Sequence, residues 1–261
     1  MHSTPPAAMA PQQGKLRFWQ EVRVLFRFLR RPVLNARIGD RWEGSSWSAD
    51  WQSGLSLGRL LQWALALWAV NLFIFGPIAV AVAGVSGSGH RLDMNNLPWL
   101  TALLWAPVVE ELAFRYGLRR PVQALWFVPA MLVAVVMGVH GWTIGWVALA
   151  LLVAWWGLRN SATPGATVWR RWYRYRFGIV FYGSALAFAG MHWNNFILGT
   201  LSWWLMPLLV LPQFVTGVVL GWVRVSRGIG AAILLHALFN AGPLLIVWAL
   251  ITLKPDGVPL P

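Results

Sequence analysis

Two adjacent glutamates, Glu110 and Glu111, lie in the middle of the apolar stretch 97–118. The chain has eight acidic residues, and these are the only two inside an apolar segment long enough to cross a membrane. A charged side chain at the centre of a spanning helix costs roughly 2.5–3.5 kcal/mol on insertion scales. Because of that cost, an intramembrane acid indicates a functional site, and its partners have to be found.

Arg115 follows Glu111 by four residues, so the two side chains share one face of a helix and can form an ion pair. Glu110 is rotated by about 100° from Glu111 on the same helix. Its carboxylate is therefore available for another role. We predict that Glu111 and Arg115 support the site and that Glu110 acts in it.

Two other apolar segments add imidazoles and a carboxamide. His192 lies late in one, and His236 lies in the last, with Asn240 four residues further on the same face. A carboxylate with a histidine can hold and deprotonate water. A histidine with an asparagine can donate hydrogen bonds to an oxyanion. Together these groups suit peptide hydrolysis without a covalent intermediate.

Each group also has a structural explanation. A histidine in an apolar helix more often bonds a backbone carbonyl, and we interpret His140 in that way. A Glu–Arg pair at helical spacing is often structural, and Asn240 alone could join two helices. The segment boundaries also predict a mismatch in depth, with Glu110 and His236 on the cytoplasmic side of mid-membrane and His192 nearer the external end.

The elements that carry these residues are predicted to be membrane helices. The chain has 261 residues, of which 58% are hydrophobic and 11% charged, and a spanning helix needs ~20 mainly apolar residues. We predict an all-α, multi-pass membrane protein with about seven transmembrane helices. Their expected ranges are 60–84, 97–118, 122–141, 142–158, 177–195, 201–223 and 229–253.

The net charge of +13 is distributed by side of the membrane. Basic residues gather before the first predicted span and after the second, fourth and sixth, whereas only Arg91 and Lys254 fall on the other side. This positive-inside pattern predicts a cytoplasmic N-terminus and an external C-terminus. We expect the basic face to contact anionic headgroups of the bilayer, with no nucleic-acid partner.

The domain organisation follows from these segments. Residues 1–58 are expected to form a cytoplasmic arm, in which 15–31 form an amphipathic helix in the headgroup plane and 40–58 a polar linker. Residues 59–254 form the transmembrane domain, and 255–261 an external tail. The chain has no cysteine, which excludes disulfides and thiolate metal sites.

Three short motifs resemble those of a known family. Glu110–Gly117 (E-E-L-A-F-R-Y-G) resembles the E-E-x-x-x-R motif of the CAAX-protease and bacteriocin-processing (CPBP, or Abi) family of intramembrane proteases. Phe188–His192 resembles its F-x-x-x-H motif, and His236–Asn240 its H-x-x-x-N motif. The protease core implied by the match covers about 97–245. One departure is Tyr116, because family members commonly have Gly directly after the motif arginine.

The resemblance implies a glutamic endopeptidase that needs no metal or other cofactor and cleaves a membrane-associated peptide or protein. Glu110 would activate water with His192 as its partner, and His236 with Asn240 would bind the oxyanion. Glu111 and Arg115 would be the supporting pair. The location it implies is the bacterial cytoplasmic membrane.

Three other functions remain open. In a zinc metalloprotease, Glu110, His192 and His236 would be ligands that leave one open position, although no H-E-x-x-H motif is present. In a proton-coupled transporter the same residues would relay protons, but internal repeats are not evident. A catalytically silent scaffold or immunity factor is the third, and the intact polar set argues against it.

Overall fold

The computed structural model describes residues 16–34, 37, 47–91, 96–159, 166–200 and 202–253. The predicted start of the arm and the external tail 255–261 lie outside these residues. The described part is almost wholly helical, which confirms the all-α prediction. The helices are α1 Phe18–Arg30, α2 Trp47–Trp51, α3 Leu57–Val70, α4 Gly76–Ser86, α5 Ala106–Phe114, α6 Pro121–Met137, α7 Gly141–Arg159, α8 Ala166–Tyr175, α9 Phe177–Met191, α10 Met206–Leu209, α11 Leu211–Arg227 and α12 Ile229–Thr252.

Two of the helical rods are long and apolar enough to cross a membrane, Leu57–Ser86 and Ile229–Thr252. The pair Trp203–Leu209 and Leu211–Arg227 meets the same test only if its 51° bend is counted within one span. The prediction of seven spans is therefore not confirmed. The sixth predicted span contains this bend, and Pro212, the second residue of α11, cannot donate the backbone hydrogen bond that would continue α10.

Two of the apolar segments contain a π-helical turn next to a proline. Asn71–Phe75 joins α3 to α4, and Thr101–Trp105 leads into α5. Each turn is followed by one residue and then a proline, Pro77 or Pro107. Proline has no N–H, so a carbonyl of the preceding turn loses its helical donor and is left for a side chain from another helix.

The central packing joins α9, α11 and α12. A methyl group on Gly217 would come within 3.0 Å of the Phe188 ring, and one on Gly221 within 2.9 Å of the Phe181 ring, so α11 lies directly against α9. On the other side Trp68 of α3 packs on α12 and donates from Nε1 to the Phe239 carbonyl at 2.9 Å. That carbonyl lacks a helical donor because Pro243 is four residues on.

The N-terminal arm is held against this packing. In α1, Glu21 and Leu25 are buried while Trp19 and Phe26 are exposed, and Glu21 accepts a hydrogen bond from Arg227 at 2.5 Å. The place of α1 in a headgroup plane remains a prediction. The predicted linker 40–58 contains the short helix α2, in which Asp50 is buried.

A two-stranded antiparallel ribbon closes the side of the structure near the end of α9. Strand β1, Gly89–His90, pairs with β2, Phe196–Ile197, and His90 lies opposite Phe196. The ribbon joins the loop after α4 to the segment after α9.

Candidate active site

The two glutamates lie in the second half of the nine-residue helix α5. Glu111 is fully buried, while the Glu110 side chain is 13% exposed. Arg115 Nη1 donates to Glu111 Oε1 at 2.9 Å, and both side chains are sealed from solvent. The spacing of four residues on one helix brings these two groups together.

His236 of α12 lies against both carboxylates. Its Nδ1 is 2.9 Å from Glu111 Oε1, and its Nε2 is 3.8 Å from Glu110 Oε2. An ionised carboxylate only accepts hydrogen bonds, so Nδ1 carries the proton in the contact with Glu111. Glu111 thereby orients the ring and turns Nε2 towards Glu110.

His192 begins the 3₁₀ turn His192–Asn195 at the end of α9. Its Nδ1 lies 2.8 Å from the Phe188 carbonyl, which makes Nδ1 the donor and leaves Nε2 as the acceptor in the neutral ring. The carboxylate of Glu110 and the imidazole of His236 both act on it electrostatically. The structure therefore places His192 in the same cluster as Glu110, contrary to the separation in depth expected from the sequence boundaries.

Phe188 is the aromatic centre of this cluster. Its ring centroid is 4.6 Å from that of His192 and 5.8 Å from that of His236. The Arg115 guanidinium carbon lies 3.8 Å from the same centroid, at cation–π distance. Gly217 leaves the space for this arrangement, because a methyl group there would be 3.2 Å from Arg115 Nη2.

Asn240 binds the segment that enters α5. Its Nδ2 donates to the Ala102 carbonyl at 2.9 Å. In the π-helical turn the N–H of Ala106 bonds Thr101, and Pro107 has no N–H, so the Ala102 carbonyl lacks a helical donor. The contact uses one of the two carboxamide N–H groups and leaves the other for a ligand.

The C-terminal end of α5 is capped by side chains from neighbouring helices. The last carbonyls of a helix have no partner within it. Ser184 donates to the Phe114 carbonyl, and Arg224 Nε donates to the Arg115 carbonyl at 3.1 Å. These contacts come from α9 and α11, so the site helix is held where its carboxylates are.

Tyr116, the departure from the family motif, is fully buried in the turn after α5. Its hydroxyl donates to Gln123 Oε1 at 2.7 Å, and its ring lies 4.3 Å from that of Phe127. Its carbonyl accepts from Arg224 Nη2 at 3.3 Å. Tyr116 thus fixes the turn to α6 and α11 and leaves the carboxylates unchanged.

Hydrogen-bonding capacity remains in the cluster. Among the described residues, Glu110 Oε2, Glu111 Oε2 and the Nε and Nη2 atoms of Arg115 are buried and have no hydrogen-bond partner. Buried polar atoms are nearly always paired, with protein or with water. These atoms can therefore bind water or the polar groups of a substrate.

Metal ligands were sought in the same residues. Within the part of the chain that the structure describes, no group of three or more His, Cys, Asp or Glu side chains is arranged to hold a metal ion. Glu110, His192 and His236, the ligands of the zinc hypothesis, do not form such a group.

Three polar residues near the site were not singled out from the sequence. His90 packs edge-on against Phe196, at 5.2 Å between ring centroids. Burial lowers the pKa of His90, and repulsion from His192 lowers it further. Asp50 binds Arg224 beneath the end of α5; burial acts to raise the pKa of Asp50, but the Arg224 charge outweighs it and the pKa is lowered. Only the tertiary fold joins such distant residues.

Residues 165–242 match the family model of type II CAAX prenyl endopeptidases described as Rce1-like. This segment is Rce1-like. The match contains the Phe188–His192 and His236–Asn240 motifs, and it confirms the predicted resemblance. Glu110 and Glu111 lie outside the matched range but contact the Rce1-like segment through His236. No curated protein and no solved structure matches the chain.

The Rce1-like match and the apolar helices describe an integral membrane protein. The family supports a CAAX-protease-like intramembrane endopeptidase, whose substrate is a peptide or protein.

Proposed function

We propose that this protein hydrolyses a peptide bond of a membrane-associated peptide or protein with a water molecule that Glu110 activates. The carrying observation is the difference between the two acids. Glu111 is sealed and its Oε1 is bound by Arg115 and His236, whereas Glu110 is partly exposed and its Oε2 has no hydrogen-bond partner among the described residues. Glu110 is thus the carboxylate that can hold water.

In this mechanism Glu110 takes a proton from water as the oxygen attacks the carbonyl carbon of the substrate. The new C–O bond forms, the carbonyl π electrons move to oxygen, and the C–N bond then breaks with proton transfer from Glu110 to the leaving nitrogen. The products are a carboxylic acid and an amine. The electrostatic proximity of His192 supports its role as the partner that keeps Glu110 and water in place.

His236 and Asn240 stabilise the oxyanion. For His236 to donate from Nε2 while Nδ1 donates to Glu111, the ring has to be an imidazolium, a charge state favoured by two carboxylates at 2.9 and 3.8 Å. The second N–H of Asn240 provides a further donor. Donors positioned in a site shielded from water stabilise a developing negative charge more than water does.

The membrane arrangement that we propose is a bacterial cytoplasmic membrane with the N-terminus inside and the C-terminus outside. The inner face would then present the exposed arginines of α8, Arg170, Arg171 and Arg174, to anionic headgroups. An odd number of crossings is required, so topology reporters test this arrangement independently of activity.

The test of the proposed activity uses purified protein in lipid vesicles and a panel of internally quenched peptides, each with a farnesylated or an unmodified C-terminal cysteine. In parallel, membrane peptides are compared between cells that express the wild type and cells that express Glu110→Gln. We expect cleavage by the wild type and none by Glu110→Gln, with both proteins folded. His140→Gln is the control, because His140 is exposed and distant in sequence from the motifs.

Equal peptide profiles for wild type and Glu110→Gln, with no cleavage of the panel, would contradict the proposal. A proton flux measured in the same vesicles with a pH-sensitive dye would then support the transporter. Its absence as well would support the silent scaffold.

A further inference from the structure

A buried ion pair lies directly beneath the site helix. Arg224 of α11 binds Asp50 of α2 through both terminal nitrogens, at 2.5 Å to Oδ1 and 2.9 Å to Oδ2. The two side chains are at most 1% exposed. Arg37 also pairs with Asp50, and Arg120 lies 3.9 Å away, so this carboxylate is surrounded by arginines.

The same guanidinium binds the turn in which α5 ends. Its Nε donates to the Arg115 carbonyl at 3.1 Å, and Nη2 donates to the Tyr116 carbonyl at 3.3 Å. All three nitrogens of Arg224 are therefore in hydrogen bonds. Asp50 fixes the fork of the guanidinium, and the fork fixes the backbone of the turn.

The contacts continue from this turn to the proposed reacting groups. The side chain of Arg115 binds Glu111, and Glu111 binds His236 Nδ1. The arm itself is firmly seated, because Gly230 at the start of α12 packs on the Trp51 carbonyl so closely that no side chain fits there. A rigid route of side-chain contacts thus leads from the N-terminal arm to His236.

We infer that Asp50 and Arg224 are positioning residues of the proposed peptidase, and that they act through the backbone of Arg115 and Tyr116 to set Glu110, Glu111 and His236. The inference rests on the proposed function. It makes the short helix α2 of the N-terminal arm part of the site, although the sequence suggested a linker.

A purely stabilising role predicts a different pattern of effects. A buried ion pair can commonly be replaced by apolar residues without loss of stability, whereas removal of one partner leaves a buried charge and destabilises the fold. An apolar replacement restores packing but cannot donate to two carbonyls. Lysine keeps the positive charge but lacks the planar fork that bonds acid and carbonyl groups together.

The test compares Arg224→Lys and the double variant Asp50→Leu/Arg224→Met with the wild type in vesicles. The matched control is Arg227→Lys, because Arg227 is another buried arginine of α11 whose acidic partner, Glu21, lies in α1. Two readouts are measured: kcat and KM on the peptide cleaved fastest in the panel, and hydrogen exchange of the backbone amides of residues 111–120.

We expect kcat to fall about tenfold to a hundredfold in both test variants with KM nearly unchanged, since misplacement by ~1 Å can cost that much. Hydrogen exchange of 111–120 should quicken in both. The double variant should unfold at the same denaturant concentration as the wild type, so its low kcat is not a folding defect. Arg227→Lys should keep kcat and exchange in 111–120 within about twofold.

Recovery of kcat together with stability in the double variant would overturn the inference and leave the pair with a structural role. Unchanged exchange of 111–120 in both test variants would overturn it as well. If the wild type cleaves no peptide, the proposed function fails, whereas the exchange measurement still decides whether Asp50 and Arg224 hold the turn after α5.

Discussion

The adjacent glutamates should respond differently to the same conservative change. Glu111→Gln removes the charge that faces Arg115, and both side chains are 0% exposed. Breaking a buried pair leaves an uncompensated charge and costs about 3–5 kcal/mol. Since domains are stable by only about 5–15 kcal/mol, we expect a large loss of stability for this variant.

Glu110→Gln keeps the shape of the side chain and breaks no hydrogen bond of Oε2 among the described residues. We expect its free energy of unfolding to change by less than about 1 kcal/mol, within the range of substitutions that disrupt no buried network. Its activity should be lost, because general-base catalysis contributes about 10²–10⁴-fold. Glu111→Gln should lower both stability and activity.

The assay is denaturant unfolding in detergent micelles, followed by tryptophan fluorescence, together with peptide cleavage in vesicles. The double variant Glu111→Gln/Arg115→Met removes both buried charges. We expect it to regain part of the stability lost by Glu111→Gln but not the activity, and the double-mutant cycle gives the coupling between the two residues. Equal and purely catalytic losses at Glu110 and Glu111, with unchanged unfolding, would refute the division of roles.

Four other outcomes follow from the structure. Asn240→Ala should reduce kcat by about 100–1000-fold, or roughly 2.7–4 kcal/mol, with little change in KM; normal turnover with weakened binding would reassign Asn240 to substrate recognition. Activity should persist after exhaustive chelation, and its loss with restoration by zinc would contradict the metal-independent mechanism. The pKa of Asp50 is lowered in the fold, so its stabilisation is present above its unfolded pKa and disappears as the pH falls through the folded value; Asp50→Asn should flatten the acid side of the stability profile. A reporter fused after Arg176 should be cytoplasmic and one at Pro261 external, and both on one side would contradict the proposed topology.

Part of this protein could be predicted from local spacing alone. Four residues on one helix bring Glu111 and Arg115 together, since the helical period fixes which side chains share a face. Composition and apolar runs predict an all-α membrane protein, and three short motifs were enough to indicate the family before the Rce1-like match confirmed it. The number of crossings could not be obtained in this way, because hydropathy does not register the bend before Pro212 or the short length of α9.

Tertiary packing decided the relations between residues that are far apart in the chain. The sequence assigned His236 to the oxyanion and did not predict its contact with Glu111, 125 positions away. The contact between Asp50 and Arg224 spans 174 positions, and Asn240 bonds Ala102 because Pro107 leaves that carbonyl without a donor. Periodicity determines the faces of a helix, but which faces meet depends on the packing of small residues such as Gly217 against Phe188, and that choice is made only in the folded chain.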